Sequence, residues 1–384
     1  MIDAAHAPAR TAADTAFMAR ALALAERGRF NTTPNPSVGC VLVRDGRVIG
    51  EGFTQPPGGP HAEIAALRDA ASRAEPVAGA TAYVTLEPCS HFGRTPPCAD
   101  ALIAAGLARV VSAMVDPNPQ VDGSGNSRLT AAGIAVESGL LAEQAEALNA
   151  GFMSRHRRGR PWLQVKLAMS LDGRTAMASG ESKWITGVEA RADVQRLRAA
   201  ACAIVTGAGT VLADDPELSV RALADVPPPY RQPLRVVLDR RARVSMGARV
   251  FAGGPAIWVA DGRVANAAGA APRPGNVDWL EGRAGAVEQS PALMAEQLNA
   301  LLAELLRRDC NTVLVEGGPT LAGSFIAAGL CDELVIYMAP KLLGDRARPL
   351  VSMNIDRMQD AVGLQLKELT RLGDDVKLIY HRPV

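Results

Sequence analysis

The sequence predicts an α/β protein of two domains, and three observations support this fold class. Short apolar runs that end at Gly, Pro or Asp alternate with longer segments of helical periodicity, which is typical of sheets covered by helices. This alternation restarts after an arginine-rich stretch. A chain of 384 residues is also longer than a single hydrophobic core usually supports. We expect a first domain over 1–150, a linker over 151–161 and a second domain over 162–384.

The elements of the first domain follow from its apolar periodicity and its turn residues. Helices are predicted over 14–28, which begins at Asp14 and ends at Gly28, over 61–71 and over 98–106. Strands are predicted over 38–43, near Val48 after the turn at 44–47, and over 83–86, 110–115 and 134–137. This order predicts a three-layer α/β/α domain.

The arginine-rich stretch at 151–161 has two interpretations. Its five basic residues suggest a contact to phosphate or nucleic acid, whereas its position between two α/β patterns suggests a solvated linker. We favour the linker.

The second domain is predicted to contain a mostly parallel sheet, because its strands are apolar throughout and alternate with helices. Strands are expected over 163–168, 203–207, 234–238, 256–259, 312–315, 333–338 and 376–380. Helices are expected over 191–200, over 291–308 and after residue 318 as far as 328.

Composition excludes several classes of function. The 41 basic and 40 acidic residues nearly cancel, and aromatic residues make up only 4%, so neither nucleic acid nor a membrane surface is an expected partner. Six cysteines in a chain of this length do not indicate a disulfide framework. No apolar run reaches membrane-spanning length and no signal-like segment is evident, so we expect a cytoplasmic enzyme.

The first candidate site combines His61, Glu63, Cys89 and Cys98. One His, two Cys and a Glu that is not a ligand form the set that a zinc deaminase needs. Three protein ligands leave a fourth position for water, whose pKa zinc lowers to about 7. Glu63 would carry the proton to the leaving ammonia. Cys89 and Cys98 are expected at the starts of facing helices.

Other interpretations of the cysteines remain open. They could be buried apolar thiols, or ligands of a structural zinc with His91 as the fourth ligand. Eight residues separate Cys89 from Cys98 instead of the two of Cys-x-x-Cys, which argues against a plain cytidine or tRNA adenosine deaminase.

The second candidate site is a glycine-rich turn between a strand and a helix, Glu316-Gly317-Gly318-Pro319-Thr320. Glycines let the backbone approach an anion, and the helix N-terminus offers free N–H groups. The same residues could simply form a helix-entry turn. The fingerprint of a standard dinucleotide-binding fold and the lysine of a phosphate-binding P-loop are both absent from the sequence.

Motifs along nearly the whole chain resemble the family of bifunctional riboflavin-biosynthesis deaminase-reductases. In the first half the matching segments are 33–39, 60–63, 85–98 and 116–119. In the second half they are 166–174, 182–186, 209–216, 315–321 and 339–344.

The resemblance implies a cytidine-deaminase-like first domain and a dihydrofolate-reductase-like second domain. It implies one Zn²⁺ in the first domain and NADPH in the second. The substrate would be 2,5-diamino-6-ribosylamino-4-pyrimidinone 5′-phosphate, which is deaminated and then reduced to the ribityl compound. It also implies a homodimer or higher homo-oligomer, since this reductase fold often pairs.

Residue roles are carried over by motif position. His61, Cys89 and Cys98 become the zinc ligands, and Glu63 becomes the proton carrier. NADPH contacts are implied for Ala168, Trp184, Thr210, Asp214, Gly318, Pro319, Thr320, Leu321, Ala322, Gly323 and Ser324. Substrate contacts are implied for Asn35, Ser182, Arg198, Leu218, Arg221 and Glu316. Lys166 and Glu316 are our candidates for polarising or protonating the ribosyl group.

Several of these residues also have structural interpretations. Asn35 could form an Asx turn, Arg198 and Arg221 could be surface charges, and Lys166 could be a lysine whose stem packs along the strand. Two positions depart from the family pattern, since Thr54 and Ala65 stand where many members carry His. We expect both near the rim of the pocket, where they would affect substrate affinity and not zinc binding.

Three other functions compete with the two-site interpretation. A nucleic-acid deaminase would need a basic, aromatic surface and no second domain. A zinc-stabilised binding protein would be expected to lack Glu63 or Glu316, and both are present. The third is a reductase whose deaminase domain is only structural; Thr54 and Ala65 give it slight support, and an assay of ammonia release would decide.

Overall fold

The computed structural model describes residues 11–91, 96–226, 228, 230–262, 274–282 and 290–383. The chain divides into two compact units, Met1–Arg160 and Pro161–Val384. Among the described residues, no helix combines the length and apolar character needed to cross a membrane.

The first unit follows the predicted order of elements and adds three helices. Its helices are α1 (Ala12–Gly28), α2 (Ala62–Ser72), α3 (Cys98–Ala104), α4 (Ser124–Ala131), α5 (Ala142–Leu148) and α6 (Ala150–Arg158). Its strands are β1 (Gly39–Arg44), β2 (Arg47–Phe53), β3 (Thr81–Val84), β4 (Arg109–Ser112) and β5 (Ala135–Ser138).

The start of α1 differs from the prediction, which placed it at Asp14. Thr11 is the N-cap: its hydroxyl accepts the N–H of Asp14 at 3.1 Å, and the Asp14 carboxylate accepts the N–H of Thr11 at 2.8 Å. This reciprocal pair is a capping box, in which the acidic residue occupies the third helical position and not the cap itself.

The sheet of the first unit gathers several strand ends at one edge. In the described part of the chain its order is β2-β1-β3-β4-β5, with β1 antiparallel to both neighbours and β3, β4 and β5 parallel. The start of β1 therefore lies beside the ends of the other four strands. The loops that carry Asn35, His61, Cys89 and Asp116 all meet this edge.

The stretch at 151–161 is not the solvated linker that the sequence suggested. Residues Ala150–Arg158 form helix α6, and Phe152 and Met153 belong to the core of the first unit. Four of the five basic residues therefore lie on a helix that also presents two buried side chains to the core. Beyond the helix, the Ser154 hydroxyl donates to the Arg160 carbonyl at 2.7 Å.

The second unit has the mostly parallel sheet that was predicted. Its strands are β6 (Trp162–Ser170), β7 (Arg174–Ala176), β8 (Ala203–Gly207), β9 (Leu234–Leu238), β10 (Ala256–Ala260), β11 (Val277–Glu281), β12 (Thr312–Glu316), β13 (Glu333–Ala339), β14 (Arg348–Pro349), β15 (Gln365–Leu372) and β16 (Asp375–His381). Its helices are α7 (Val188–Ala200), α8 (Ala208–Asp214), α9 (Pro291–Arg307) and α10 (Pro319–Ala327).

Pairing within this sheet brings distant residues together. Over the described residues the order is β11-β10-β9-β8-β12-β6-β13-β16-β15, parallel from β11 to β13 and antiparallel beyond it. Register places Glu316 of β12 beside Lys166 of β6. Two apolar clusters cover the two faces, one under α9 and α10 and one under α7.

Candidate active sites

His61, Cys89 and Cys98 come together at the edge of the first sheet. His61 is the N-cap of α2 and Cys98 is the first residue of α3. Cys89 lies in the loop that follows β3, so the expectation that it begins a helix is wrong. His61 and Cys89 are partly exposed and Cys98 is buried, which leaves the cluster open on one side.

The geometry of this cluster fits zinc. The Nδ1 atom of His61 lies 3.3 Å from the Cys98 Sγ and 3.6 Å from the Cys89 Sγ, and all three donors lie within 4.8 Å of one another. Tetrahedral zinc with bonds of about 2.1 Å to N and about 2.3 Å to S separates such donors by about 3.6 Å. His91 is exposed and is not one of the three grouped residues.

Electrostatics within the cluster favour metal binding. A hydrogen bond from Cys98 and another from His61 lower the pKa of Cys89, and the Cys98 N–H also donates to its sulfur at 3.3 Å. A thiolate is the form that binds a metal. The same contacts leave Cys98, as the donor, with a raised pKa.

Glu63 lies in the first turn of α2, as the sequence predicted, and its side chain is buried. Burial, followed by the negative charge of Cys89, raises its pKa to about 7. A carboxyl group with a pKa near the working pH can both accept and release a proton.

Asn35 reaches the same sheet edge on the turn that precedes β1. Its N–H donates to the Thr32 carbonyl at 2.9 Å. The backbone of Ser37, which follows, is held by hydrogen bonds to Asn149. The Asn149 side chain accepts the Ser37 N–H at 2.8 Å and donates to the Ser37 carbonyl at 3.0 Å. Asn149 is buried, and no sequence motif indicated this role.

Thr54 and Ala65, the two departures from the family pattern, lie in different surroundings. Thr54 is 4% exposed and its hydroxyl accepts the Val38 N–H at 3.2 Å, at the sheet edge. Ala65 borders a separate pocket of about 280 Å³ with Phe53 and Asp69.

Glu87 is a buried carboxylate two residues before Cys89, and no role was predicted for it. It accepts three backbone N–H groups from the segment that follows β4. Its charge also contributes, after burial, to raising the pKa of Asp116 to about 6.

The second unit contains a cavity of about 1350 Å³ along the carboxyl edge of its parallel strands. All residues of this unit that were predicted to contact substrate or to act as catalysts line it: Lys166, Ser182, Arg198, Leu218, Arg221 and Glu316. Most of the predicted cofactor contacts line it as well: Ala168, Trp184, Thr210, Asp214, Gly318, Pro319, Thr320, Leu321 and Ser324.

Two predicted cofactor contacts lie outside this lining. Ala322 is fully buried in the apolar core beneath α10. Gly323 faces the opposite direction, since a Cβ there would lie 2.2 Å from the Ser352 carbonyl oxygen. Successive helical residues point to different faces, so only part of the motif can reach the cavity.

Glu316 and Arg198 form a buried, two-pronged ion pair in the cavity wall. Arg198 Nε donates to Glu316 Oε1 at 2.6 Å and Nη2 donates to Oε2 at 3.0 Å, while Nη1 donates to the Ser219 carbonyl at 3.2 Å. Burial alone would raise the pKa of Glu316, but Arg198 and Lys166 lower it on balance. The guanidinium fork is therefore engaged by protein, which argues against Arg198 as a phosphate clamp.

Lys166 lies near the polar group formed by Tyr337, Asp193 and Lys377, which was not predicted from the sequence. Burial lowers its pKa, and its Nζ lies 5.9 Å from the centre of the Tyr337 ring. The Tyr337 hydroxyl donates to Asp193 at 2.6 Å, and Lys377 lies 3.0 Å from the same carboxylate. Tyr337 and Lys377 are register partners on β13 and β16.

The glycine-rich turn has the shape of an anion-binding site. Gly318 is the N-cap of α10, and a Cβ at this position would meet no atom within 4 Å. A Cβ at Gly317 would lie 2.8 Å from the Leu321 side chain. The open side of Gly318 faces the cavity, where the first N–H groups of α10 are available to a ligand.

Comparisons with known proteins support both halves of this description. Residues 161–378 match the family model described as the RibD C-terminal domain, and residues 11–114 match the cytidine and deoxycytidylate deaminase zinc-binding region. Riboflavin biosynthesis protein RibD of Haemophilus influenzae is 50% identical over 376 residues, covering 96% of this chain and 97% of that protein. The Escherichia coli RibD is 50% identical over 383 residues, covering 95% and 98%.

Solved structures agree with the sequence relatives. Acinetobacter baumannii RibD superposes with a TM-score of 0.85 at 42% identity, covering 97% of this chain and 99% of that one. A Thermotoga maritima diaminohydroxyphosphoribosylaminopyrimidine deaminase/5-amino-6-(5-phosphoribosylamino)uracil reductase has a TM-score of 0.84 at 33% identity, with the same coverage. By its sequence over nearly the full length and by the fold of both units, the chain belongs to the RibD family of riboflavin biosynthesis proteins.

Proposed function

We propose that the chain catalyses two consecutive steps of riboflavin biosynthesis. The first unit deaminates 2,5-diamino-6-ribosylamino-4(3H)-pyrimidinone 5′-phosphate. The second unit reduces the ribosyl side chain of the product with NADPH, giving 5-amino-6-(5-phosphoribitylamino)uracil. The observation that carries this proposal is the convergence of His61, Cys89 and Cys98 beside buried Glu63, in a chain with a separate reductase-type cavity.

In the deaminase unit, His61, Cys89 and Cys98 hold one zinc ion. Zinc, when bound, supplies a water that ionises near neutral pH. Glu63 accepts a proton from the water that attacks the ring carbon and delivers it to the exocyclic amino group on that carbon, whose C–N bond breaks so that the group leaves as ammonia. Its raised pKa suits both transfers. Asn35, on the same sheet edge, contacts the pyrimidine.

In the reductase unit, the turn at Gly318 and the first residues of α10 bind the phosphates of NADPH. NADPH, when bound, would supply the hydride that reduces C1′ of the ribosyl group in its ring-opened imine form. Lys166 donates the proton that the imine nitrogen takes up, since its lowered pKa makes it a better acid than an exposed lysine. Glu316, oriented by Arg198, accepts hydrogen bonds from the sugar hydroxyls.

The substrate phosphate needs a cationic partner in the same cavity. Arg198 is engaged by Glu316, so this role passes to Arg221, which is exposed and also lines the cavity. Its guanidinium can bind phosphate oxygens in a two-pronged arrangement. Ser182 and Leu218 complete the proposed substrate contacts.

Assembly and location are also proposals. Edge strand β15 exposes Leu366 and Leu369 at 48% and 62%, which a second copy of the chain would cover in a homodimer or higher homo-oligomer. The six cysteines, which do not indicate a disulfide framework, suit the cytoplasm, where thiols stay reduced. Sedimentation of the purified protein and cell fractionation test these two proposals.

The experiment follows both reactions with the purified protein. Ammonia release from the diaminopyrimidine ribotide is measured without NADPH, and NADPH oxidation is then measured after its addition, each with and without a zinc chelator. We expect ammonia release to require zinc and NADPH oxidation to require prior deamination. A zinc-loaded protein that releases no ammonia would refute the deaminase half. Ammonia release without any NADPH oxidation would refute the reductase half.

A further inference from the structure

Glu87 is a buried carboxylate whose charge is shielded from solvent, and it is not one of the metal ligands. It follows β3 in the loop that leads through Pro88 to Cys89, and it is 3% exposed. A buried carboxylate is costly unless hydrogen bonds satisfy both of its oxygens. Its contacts should therefore reveal what it holds in place.

Both oxygens of Glu87 accept backbone N–H groups from one segment of the chain. Oε2 accepts the N–H of Asp116 at 3.1 Å and that of Gly123 at 3.0 Å, and Oε1 accepts the N–H of Asn126 at 3.0 Å. Gly123 is the N-cap of α4 and Asn126 lies in its first turn. Glu87 thus caps α4 from a distant part of the chain, where the helix dipole also favours a negative charge.

Close packing reinforces these hydrogen bonds. A Cβ at Gly125 would lie 1.9 Å from the Pro88 carbonyl oxygen, so the first turn of α4 rests directly on the peptide that precedes Cys89. On the other side, the Ala99 N–H donates to the Cys89 carbonyl at 3.1 Å. The backbone around Cys89 is held between α3 and α4.

The segment that Glu87 holds also reaches the active edge of the sheet. It begins at Asp116, whose carboxylate accepts the Asn118 N–H at 2.8 Å and so shapes the turn after β4. One carboxylate therefore links the loop of a metal ligand to the turn beside it. Neither loop can shift without breaking bonds to Glu87.

We propose that Glu87 is a positioning residue of the deaminase site, which fixes the Cys89 loop and the turn at 116–118 as one rigid piece. This proposal rests on the proposed zinc site of the first unit. Residues behind a metal ligand commonly control how tightly the metal is held and how well the site turns over. Glu87 acts through backbone N–H groups and not through the side chain of a ligand.

The test compares Glu87→Gln with wild type and with Asp14→Asn as a matched control. Gln keeps the size of Glu87 but turns an N–H₂ group toward backbone donors. Asp14 is another buried carboxylate of the first unit, bonded to Thr11, Tyr83 and Arg109 and not to the cysteine loop. Its replacement should destabilise the same unit without touching the zinc loop.

Three readouts are taken on each protein at a temperature where it is folded. The first is the rate of zinc transfer to a chromogenic chelator, the second is the absorption spectrum of the cobalt(II)-substituted protein, and the third is ammonia release. For Glu87→Gln we expect about 10–100-fold faster zinc transfer, an altered cobalt–thiolate spectrum and a lower kcat for ammonia release. NADPH oxidation on already deaminated substrate should be unchanged.

Each outcome decides for or against the proposal. Asp14→Asn should melt at a lower temperature yet keep the zinc-transfer rate and cobalt spectrum of wild type. If Glu87→Gln behaves in the same way, Glu87 only stabilises the fold and the proposal is overturned. If Glu87→Gln does not fold, Glu87→Asp takes its place, and a wild-type transfer rate in that variant would also overturn it.

Failure of the proposed function gives a different pattern. In that case the wild-type protein would bind zinc but release no ammonia. The comparison of zinc transfer and cobalt spectra between variants would still test Glu87.

Discussion

Arg198 and Glu316 lie 118 positions apart in the sequence and form a two-pronged ion pair in the wall of the reductase cavity. Their side chains are only 13% and 9% exposed. A buried pair of this kind is strongly coupled, because removal of either partner leaves an uncompensated charge. The pair fixes the orientation of the Glu316 carboxylate in the cavity wall and engages the Arg198 guanidinium, which argues against a phosphate contact by Arg198.

Replacing Arg198 by Ala should therefore damage both stability and reduction. We expect the free energy of unfolding of the second unit to fall by ~3–5 kcal/mol, the usual cost of leaving one buried partner unpaired. Ammonia release should be unaffected. Urea unfolding and the two activity assays measure these effects. Arg196→Ala is the control, because Arg196 lies on the same helix as Arg198 and its ion pair with Asp225 is exposed, so its loss should change stability little.

The same pair predicts a pH dependence of stability. The pKa of Glu316 is lowered in the folded protein, so its contribution to stability is present above the unfolded pKa of about 4.3 and is lost as pH falls through the lower folded value. In Glu316→Gln, the free energy of unfolding of the second unit should fall less steeply with decreasing pH below about pH 4.3. Denaturant midpoints from neutral pH downward measure this, and an equal acid slope in both proteins would contradict the assignment.

Gly318→Ala should weaken NADPH binding without unfolding the protein. The added methyl group would meet no protein atom within 4 Å, yet it would project into the space where the backbone approaches the cofactor phosphates. We expect the Kd for NADPH to rise by about 10-fold, or about 1.4 kcal/mol, with an unchanged Tm. Fluorescence titration measures the Kd. A lower Tm with an unchanged Kd for NADPH would indicate that the cofactor phosphates bind elsewhere.

Asn149→Ala should affect the deaminase through the Asn35 turn. It removes both hydrogen bonds that hold Ser37, leaving a buried N–H and carbonyl without their partner at a cost of about 1–3 kcal/mol. We expect a higher KM for deamination with zinc content retained. Metal analysis and initial rates measure this. An unchanged KM would indicate that the Asn35 turn does not contribute to substrate binding.

The chemistry-bearing motifs could be predicted from sequence because their spacing follows from what zinc and phosphate require. Glu63 occupies the first turn of α2 as expected, His61 is the N-cap of that helix, and the predicted parallel strands of the second unit are present. Contacts such as those of Glu87 could not be predicted, since they depend on how α4 folds back onto the loop before Cys89.

Two elements show where local patterns fail. The sequence predicts a linker where helix α6 forms, because the arginines of this segment outnumber Phe152 and Met153, the two side chains that reach the core. Strand β15 shows no apolar alternation, and its residues are nearly all exposed. Its place in the sheet comes from backbone pairing with β16. No pattern of residues in Gln365–Leu372 predicts this pairing.

The central claim, that Glu63 and Glu316 serve two different reactions, is tested most directly by identifying what each single variant accumulates. Purified Glu63→Gln and Glu316→Gln are each given the diaminopyrimidine ribotide with NADPH, and products are identified by mass spectrometry. We expect Glu63→Gln to leave the substrate intact and Glu316→Gln to accumulate the deaminated ribosyl compound with its ammonia released. Ammonia release from Glu63→Gln, or its loss in folded Glu316→Gln, would contradict the account.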